Sequence, residues 1–224
     1  RSMSVTENIT RLKASLPANV KLVAISKFHP AEALLKAYNT GQRVFGESRA
    51  QELTAKQNVL PGDIEWHFIG PLQSNKVKDI APFIHTIHSI DSLKLLQEVN
   101  KQAAKHDRII RVLLEIHVAQ EEAKHGFSPD ECRRLLHGLP PDALPNIRIC
   151  GLMGMATNTD DTTQIQDEFH QIHELFAELK NSVFKENEHF CELSMGMSHD
   201  SPVAIREGST MVRIGTSIFG EREY

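Results

Sequence analysis

The sequence predicts an α/β protein built as a single (β/α)8 TIM barrel. Three observations support this fold: apolar strand-like runs alternate with helical segments, eight such runs can be counted, and the glycine-rich patterns GxGxxG and GxxxxGK[ST] are missing from the chain. A doubly wound open sheet shows the same alternation and is the alternative. The barrel is favoured because the glycine-rich patterns, which are the commonest reason to choose the open sheet, are missing.

The first half of the chain predicts an extra amino-terminal helix followed by four strand–helix units. Apolar runs bounded by turn residues mark the strands, and apolar positions at helical spacing mark the helices. Pro30 opens the first of these helices and Gly41 closes it, an asymmetry typical of helices. The predicted helices cover residues 5–16, 30–40, 49–58, 74–82 and 93–103, and the predicted strands cover 20–26, 43–46, 64–69 and 86–90.

The second half predicts four more strands, over residues 109–118, 147–155, 190–194 and 211–219. Ser128 and Pro129 open the helix after the fifth strand, and a short helix over 202–207 precedes the last strand. The clearest helix follows the sixth strand, because its apolar residues recur in steps of three and four. They are Ile165, Phe169, Ile172, Phe176, Leu179 and Val183.

Composition predicts one ordinary globular domain over residues 1–224. Hydrophobic residues make up 40% and charged residues 24% of the chain, which is enough to bury a core. Arg1 and Ser2 are interpreted as a remnant of cloning ahead of Met3. The net charge of −4 and pI near 6.3 supply no basic field, so we expect no nucleic-acid partner and only local capture of phosphate.

The cysteines and histidines do not form a pattern typical of a structural or metal centre. Cys132, Cys150 and Cys191 are odd in number and widely spaced, which argues against a disulfide framework or a cysteine zinc site. The pairs His85/His88 and His170/His173 lack the HExxH pattern, and we expect no specific metal site.

No signal peptide or membrane span is recognised, so a cytoplasmic protein without a membrane partner is expected.

Lys27 is the first candidate site residue. It follows the apolar run 20–26 at the carboxyl end of the first strand, where TIM barrels place their functional groups. A solvated surface lysine is the ordinary alternative. Barrel closure would set the eighth strand beside the first and so bring Arg213, Gly215 and Thr216 near Lys27.

Arg213 interrupts an apolar strand, so it is predicted either to be buried with a hydrogen-bonding or anionic partner or to point outward toward the helical layer. The loop 194–200 follows the seventh strand, and its hydroxyls and backbone N–H groups are candidates for an anion site. Ser194, Gly196 and Ser198 are its candidate residues.

Several segments together resemble the YggS/PROSC family, the pyridoxal phosphate homeostasis proteins, along almost the whole chain. The resemblance rests on residues 23–27, 45–47, 66–70, 72–76, 151–153, 193–198, 208–216 and 219–222. Ser48 and Pro71 depart from the family, which often has asparagine and histidine there. These departures concern contacts on the substrate side of the cofactor ring.

The resemblance implies a barrel like the amino-terminal domain of alanine racemases, the fold type III of pyridoxal 5'-phosphate (PLP) proteins. It implies that Lys27 holds PLP as a Schiff base and that Arg213 faces the pyridine nitrogen. The phosphate would be received by Ser194, Gly196, Ser198, Gly215 and Thr216, and which serine contacts it directly stays open. A charged arginine disfavours protonation of the pyridine nitrogen and so handicaps carbanion chemistry.

The function expected from this resemblance is PLP binding and homeostasis without efficient catalysis, with no residue assigned a catalytic role. PLP-dependent apoenzymes are the candidate recipients of the cofactor, and a monomer is expected. A PLP-dependent amino-acid racemase of low activity is the first alternative, although only Lys27 is available as an acid/base group where two are needed. A barrel enzyme that acts on a phosphorylated metabolite without PLP is the second.

Overall fold

The computed structural model describes residues 3–121, 125–140 and 142–221 of the chain. Eight parallel strands form a closed barrel in sequence order, and β8 pairs with β1 to complete it. The TIM barrel and the extra amino-terminal helix predicted from the sequence are therefore confirmed. The strands are β1 (Lys21–Ile25), β2 (Val44–Glu47), β3 (Glu65–Phe68), β4 (Thr86–Ile90), β5 (Ile110–Ile116), β6 (Ile147–Gly154), β7 (Glu192–Met195) and β8 (Met211–Ile214).

Nine α-helices are present among the described residues, together with a 3₁₀ turn over Ser74–Lys76. Two of them begin with a capping box, in which a serine and the glutamate three residues later satisfy each other's backbone N–H groups: Ser4 with Glu7 and Ser128 with Glu131. The helices are α1 (Val5–Ser15), α2 (Ala31–Tyr38), α3 (Ala50–Val59), α4 (Val77–Ile80), α5 (Leu93–Lys105), α6 (Pro129–His137), α7 (Thr162–Lys180), α8 (Ser201–Arg206) and α9 (Thr216–Phe219).

Side-chain alternation along the strands divides the core into two parts. The larger part lies between barrel and helices and includes Trp66 and Phe68 of β3. The smaller apolar cluster contains Val23 and Ile25 of β1 together with Met153 of β6 and Met211 of β8. Because alternate residues point to opposite faces, the residues next to these in each strand take the other face of the sheet.

The last strand is shorter than its apolar pattern predicts. The prediction of a strand over 211–219 was wrong in its second half, since β8 ends at Ile214 and α9 occupies Thr216–Phe219. Gly215 separates the two elements, and a Cβ there would lie 2.9 Å from the carbonyl oxygen of Ile25 in β1. The close approach of the two strands at this point requires glycine.

Other boundaries moved by a few residues. The seventh strand begins at Glu192 instead of residue 190, because Phe190 packs in a turn against Phe176 and Phe184. Helix α7 ends at Lys180, so Val183 lies beyond it.

No helix among the described residues is both long and apolar enough to span a membrane. The interpretation of Arg1 and Ser2 as a cloning remnant, like the resemblance at Arg222, lies outside the described residues. The assignment of residues 1–224 to one domain stays a prediction.

Candidate functional site

Lys27 lies two residues beyond the carboxyl end of β1 and is half-buried. The next residue, Phe28, has a φ of +67°, a conformation that is rare for a non-glycine side chain. Two cations lie over the ring of Phe28, with Lys27 Nζ 5.9 Å and Arg49 Cζ 4.9 Å from its centre. Left-handed aromatic residues persist where the surroundings hold them, and they concentrate at functional sites.

A buried ionic cluster from β2 and α3 holds the segment that carries Lys27. Lys56 Nζ donates to Glu47 Oε2 at 2.8 Å, to Glu52 Oε2 at 2.7 Å and to the carbonyl oxygen of Ser26 at 2.7 Å. The Ser26 hydroxyl donates to Glu47, and the backbone N–H of Phe28 donates to Glu52 Oε2 at 2.6 Å. The residues on both sides of Lys27 are therefore fixed by charged hydrogen bonds.

Burial has the largest effect on the pKa of Glu47, the buried acid of this cluster. Desolvation raises the pKa of the Glu47 carboxyl, while the charge and hydrogen bond of Lys56 and the hydrogen bond of Ser26 pull it down. Glu47 is fully buried, and its second oxygen has no hydrogen-bond partner in the described structure. The cluster therefore depends on Lys56 to keep a buried carboxylate paired.

Arg213 is buried and hydrogen-bonded, as one of the two predicted alternatives required. Its register partner in β1 is Val23, so barrel closure does bring β8 beside the strand that leads to Lys27. The guanidinium donates to the carbonyl oxygen of Ser194 at 3.0 Å, to the Ser194 hydroxyl, and to the carbonyl oxygen of Gly154 at 3.2 Å. Burial lowers the pKa of Arg213 to about 10, so the group stays cationic at neutral pH.

A column of hydrogen-bonded side chains extends from Arg213 through the barrel. The Ser194 hydroxyl lies 2.9 Å from Nδ1 of His88, Nε2 of His88 lies 2.7 Å from Nδ1 of His67, and Nε2 of His67 lies 2.8 Å from Glu65 Oε2. Both histidines and Ser194 are fully buried. Since Glu65 is the first residue of β3, the column ends at the amino-terminal side of the barrel, opposite Lys27.

The protonation of this column follows from its ends. Burial would raise the pKa of Glu65, but the hydrogen bond from His67 together with the positive charge around the carboxylate, including that of Lys21, lowers it to about 2. The carboxylate therefore accepts, and His67 Nε2 carries the proton. Burial lowers the pKa of both His67 and His88, so both rings are neutral. We therefore assign His88 Nε2–H as donor to His67, and the Ser194 hydroxyl as donor to His88.

The candidate phosphate residues lie at the carboxyl ends of β7 and β8. The Thr216 hydroxyl is 3.3 Å from that of Ser198, which brings the two predicted segments together. Gly196 has a φ of +103°, and a Cβ there would lie 2.8 Å from the Ala204 side chain. The carbonyl oxygen of Gly196 accepts from the backbone N–H of Arg213 at 2.9 Å. Gly196 and Gly215 thus both occupy positions that a larger residue cannot take without a shift.

The two serines left open by the sequence have different surroundings. Ser194 lies inside β7 and its hydroxyl is held between His88 and Arg213, whereas Ser198 is half-exposed beside Thr216.

Ser48 and Pro71, the two residues that depart from the family, lie near each other in the chain. Ser48 packs closely on Gly70, since a Cβ added to Gly70 would lie 2.7 Å from the Cβ of Ser48. Pro71 follows directly and is exposed.

A cavity of about 310 Å³ opens beside this face, between the ends of β5, β6 and β7. Glu115, His117, Met197 and His199 are among its lining residues. A larger cavity of about 710 Å³ lies at the opposite ends of β5 and β6, against the last turn of α6 and the segment that follows α7. The smaller cavity is the one next to the predicted loop 194–200, so we associate it with the site.

Sequence reasoning did not assign roles to Glu47, Lys56, His67 or His88, although Glu47 and His67 lie in the segments that carry the family resemblance. Their polar character within apolar strands was the available signal, the same signal that marked Arg213. Lys56 had no such signal, because a lysine in a helix is ordinarily exposed.

Comparison with known proteins shows which family the chain belongs to. The family model described as alanine racemase, N-terminal domain, matches residues 2–223. A pyridoxal phosphate homeostasis protein of Aquifex aeolicus is 42% identical over 205 residues, which are 91% of this chain and 88% of that protein. One of Schizosaccharomyces pombe is 38% identical over 91% of this chain and 85% of its own length.

Among solved structures, PipY of Synechococcus elongatus with PLP bound has a TM-score of 0.87 and 37% identity, and the match covers 97% of this chain and all of that one. An alanine racemase of Clostridium difficile has a TM-score of 0.75 at 14% identity, over 99% of this chain and 57% of that one. The second likeness shows the barrel fold alone. From the curated relatives and the family model, the chain belongs to the pyridoxal phosphate homeostasis protein family, on the barrel shared with the alanine racemase N-terminal domain.

Proposed function

We propose that this protein binds PLP and takes part in PLP homeostasis, with Lys27 as the residue that holds the cofactor. The observation that carries this proposal is the pairing of β1 with β8, which sets buried Arg213 beside the strand that leads to Lys27. The 37% identical PipY, solved with PLP bound, supports it independently.

The residues at this face fit the chemical groups of PLP. The aldehyde of PLP condenses reversibly with a primary amine and releases one water, which is the chemistry that Lys27 would use. Ser198 and Thr216 offer hydroxyls 3.3 Å apart for a phosphate. Gly215 directly precedes Thr216, so its backbone would lie beside the same phosphate.

Arg213 would lie opposite the pyridine nitrogen, held in place by Ser194 and Gly154. Because it remains cationic, it opposes a proton on that nitrogen and so weakens the electron withdrawal that PLP enzymes exploit. This argues for a binding and delivery role without efficient catalysis.

Of the two serines, we assign phosphate contact to Ser198 and orientation of Arg213 to Ser194. The Ser194 hydroxyl already donates to His88 and accepts from Arg213, so it has little capacity left. Replacing Ser198 with alanine should weaken PLP binding by about tenfold, the usual value of one hydrogen bond to a charged group.

The wider role includes delivery of PLP to PLP-dependent apoenzymes by a monomer in the cytoplasm. The cytoplasm is supported by the reduced state expected for Cys132, Cys150 and Cys191, since that compartment keeps thiols reduced.

The test is the visible absorption of the protein with PLP, for wild type, Lys27→Ala and the control Lys36→Ala, whose lysine is exposed on α2. We expect a Schiff-base band in wild type and control and none in Lys27→Ala, with borohydride reduction fixing the adduct to the peptide that contains Lys27. An adduct on another lysine, or no band in wild type, would refute the proposal.

Exchange of amino-acid α-protons in deuterated solvent distinguishes a racemase of low activity from a binding role. Exchange that is catalytic and depends on Lys27 would establish the racemase-like activity instead of a binding role. Absence of exchange over the common amino acids would leave binding and delivery as the function.

A further inference from the structure

Three metal-ligand side chains converge at the amino-terminal side of the barrel, away from Lys27. Glu65 Oε2 lies 2.8 Å from His67 Nε2, and Glu65 Oε1 lies 3.4 Å from His85 Nε2. One ligand atom of each residue lies within 4.8 Å of the other two. Two ligands on one Zn²⁺ in tetrahedral geometry are separated by roughly 3.4 Å, so the three groups need little movement to share an ion.

The local fold explains why these three meet. Glu65 and His67 are two apart in β3 and therefore point to the same face of the sheet. His85 precedes Thr86, which is the register partner of His67 in β4. The rings of His67 and His85 are parallel within 5°, with centroids 5.5 Å apart. The sequence pairs His85 with His88 at a spacing of three, but in the folded chain His85 lies just before β4 and contacts Glu65 and His67 of β3.

The buried column supplies the support that metal-binding histidines need. A ligating imidazole ordinarily has its second nitrogen hydrogen-bonded, which fixes the ring. Nδ1 of His67 lies 2.7 Å from His88 Nε2, and His88 continues to Ser194. When an ion takes Nε2 of His67, the ring proton of His67 moves to its Nδ1 and the ring proton of His88 moves from Nε2 to its Nδ1. His67 Nδ1–H then donates to His88 Nε2, and His88 Nδ1–H donates to the Ser194 hydroxyl oxygen, so both hydrogen bonds are kept with their directions reversed.

We propose that Glu65, His67 and His85 form a binding site for a divalent transition-metal ion of the zinc class at the amino-terminal end of the barrel. Two imidazoles and one carboxylate match the preference of such ions for nitrogen and oxygen ligands. Three protein ligands leave a fourth position for water. Glu65 and His85 are partly exposed, at 26% and 37% of their side chains, and so give an ion access to buried His67.

Lys21 is the group that competes with the ion. Its Nζ lies 3.4 Å from Glu65 Oε2 and occupies the place of a counterion beside the carboxylate. A metal ion must displace this ammonium or share the carboxylate with it. Removing the lysine charge therefore strengthens metal binding, an effect opposite to that of removing a ligand.

A second cluster of a histidine with two carboxylates provides the matched control. His170 contacts Glu207 through Nδ1 at 3.0 Å and Glu174 through Nε2 at 2.8 Å. The two carboxylates lie on different ring nitrogens, so one ion cannot contact all three side chains at bonding distance. Like His85, His170 is exposed enough to be replaced without disturbing the core.

The experiment is calorimetric titration of the PLP-free full chain with Zn²⁺ at pH 7, for wild type, His85→Ala, Lys21→Met and His170→Ala. We expect one strong site per chain in wild type, weakening by at least about tenfold in His85→Ala, several-fold tightening in Lys21→Met and no change in His170→Ala. The visible spectrum with Co²⁺ should show a low-symmetry complex that His85→Ala loses.

Thermal unfolding without metal serves as a check that each variant is folded. Equal affinity in wild type and His85→Ala, or weaker binding in Lys21→Met, would overturn the proposal. Since PLP is absent throughout, the outcome is independent of whether Lys27 holds the cofactor.

Discussion

At the scale of single residues, Gly215 shows how closely the candidate site is packed. A Cβ at this position would lie 2.9 Å from the Ile25 carbonyl oxygen, which is backbone and cannot move aside as a side chain could. Gly215→Ala should therefore destabilise the fold by about 1–3 kcal/mol, as overpacking does, and weaken PLP binding because β1 shifts next to Lys27. Thermal unfolding and a PLP titration would measure both effects.

Gly62→Ala is the control for this substitution, because a Cβ there meets nothing within 4 Å. Its free energy of unfolding should stay within about 0.5 kcal/mol of wild type. Equal stability of the two variants would contradict the proposed strain between β1 and β8.

At the scale of elements, the attachment of α3 to β1 and β2 depends on Lys56. Its side chain is 8% exposed and its partner Glu47 is fully buried. Lys56→Ala leaves a buried carboxylate without its counterion, so we expect a loss of about 3–5 kcal/mol in the free energy of unfolding, measured by denaturant titration. Lys36→Ala, on the exposed side of α2, should cost less than about 0.5 kcal/mol.

The loss of stability in Lys56→Ala should depend on pH in a defined direction. Burial raises the folded-state pKa of Glu47 above its ordinary value of 4.5, so the folded state holds this proton more tightly than the unfolded state. The stability from this group is present below pH 4.5 and is lost as pH rises through the folded pKa. Lys56→Ala raises that pKa further, so its deficit should be smaller at pH 5 than at pH 8, and a deficit independent of pH would be evidence against a charged Glu47.

At the scale of the whole molecule, barrel closure decides which thiols can react. Cys132 and Cys150 are buried and Cys191 is exposed. Burial raises the pKa of Cys132 to about 12 and also raises that of Cys150. A disulfide reagent should modify one thiol in the native protein and three in guanidinium, because the buried pair reacts only when the barrel opens. Rapid modification of three thiols in the native state would show that the barrel opens readily.

The native reaction should also quicken with rising pH. The pKa of Cys191 is itself raised, by partial burial and by the charge of Glu192, so little thiolate exists at pH 7. A rate independent of pH between 7 and 9 would contradict this.

The sequence by itself predicted the order of strands and helices, because strand and helix signals are local, and the missing glycine-rich patterns favoured the barrel over an open sheet. The capping residues at Ser128 and the apolar stripe of α7 were readable without a structure. The boundary at Gly215 was not, since the apolar pattern continues through Phe219 and only the contact with β1 ends the strand there. Local pattern fixes where an element lies, and packing against a distant strand fixes where it stops.

For the candidate site, the sequence and the family resemblance predicted Lys27, Arg213 and the loop 194–200, while the tertiary structure decided what surrounds them. Only the closed barrel joins Ser194 to His88 and His67, and only the contact between β2 and α3 brings Lys56 to Glu47. Ser194 and His88 are 106 residues apart in the chain, and a hydrogen bond between such distant residues leaves no trace in local composition. The chemical character of each side chain could be read from the sequence, whereas its hydrogen-bond partner depends on how the strands and helices pack.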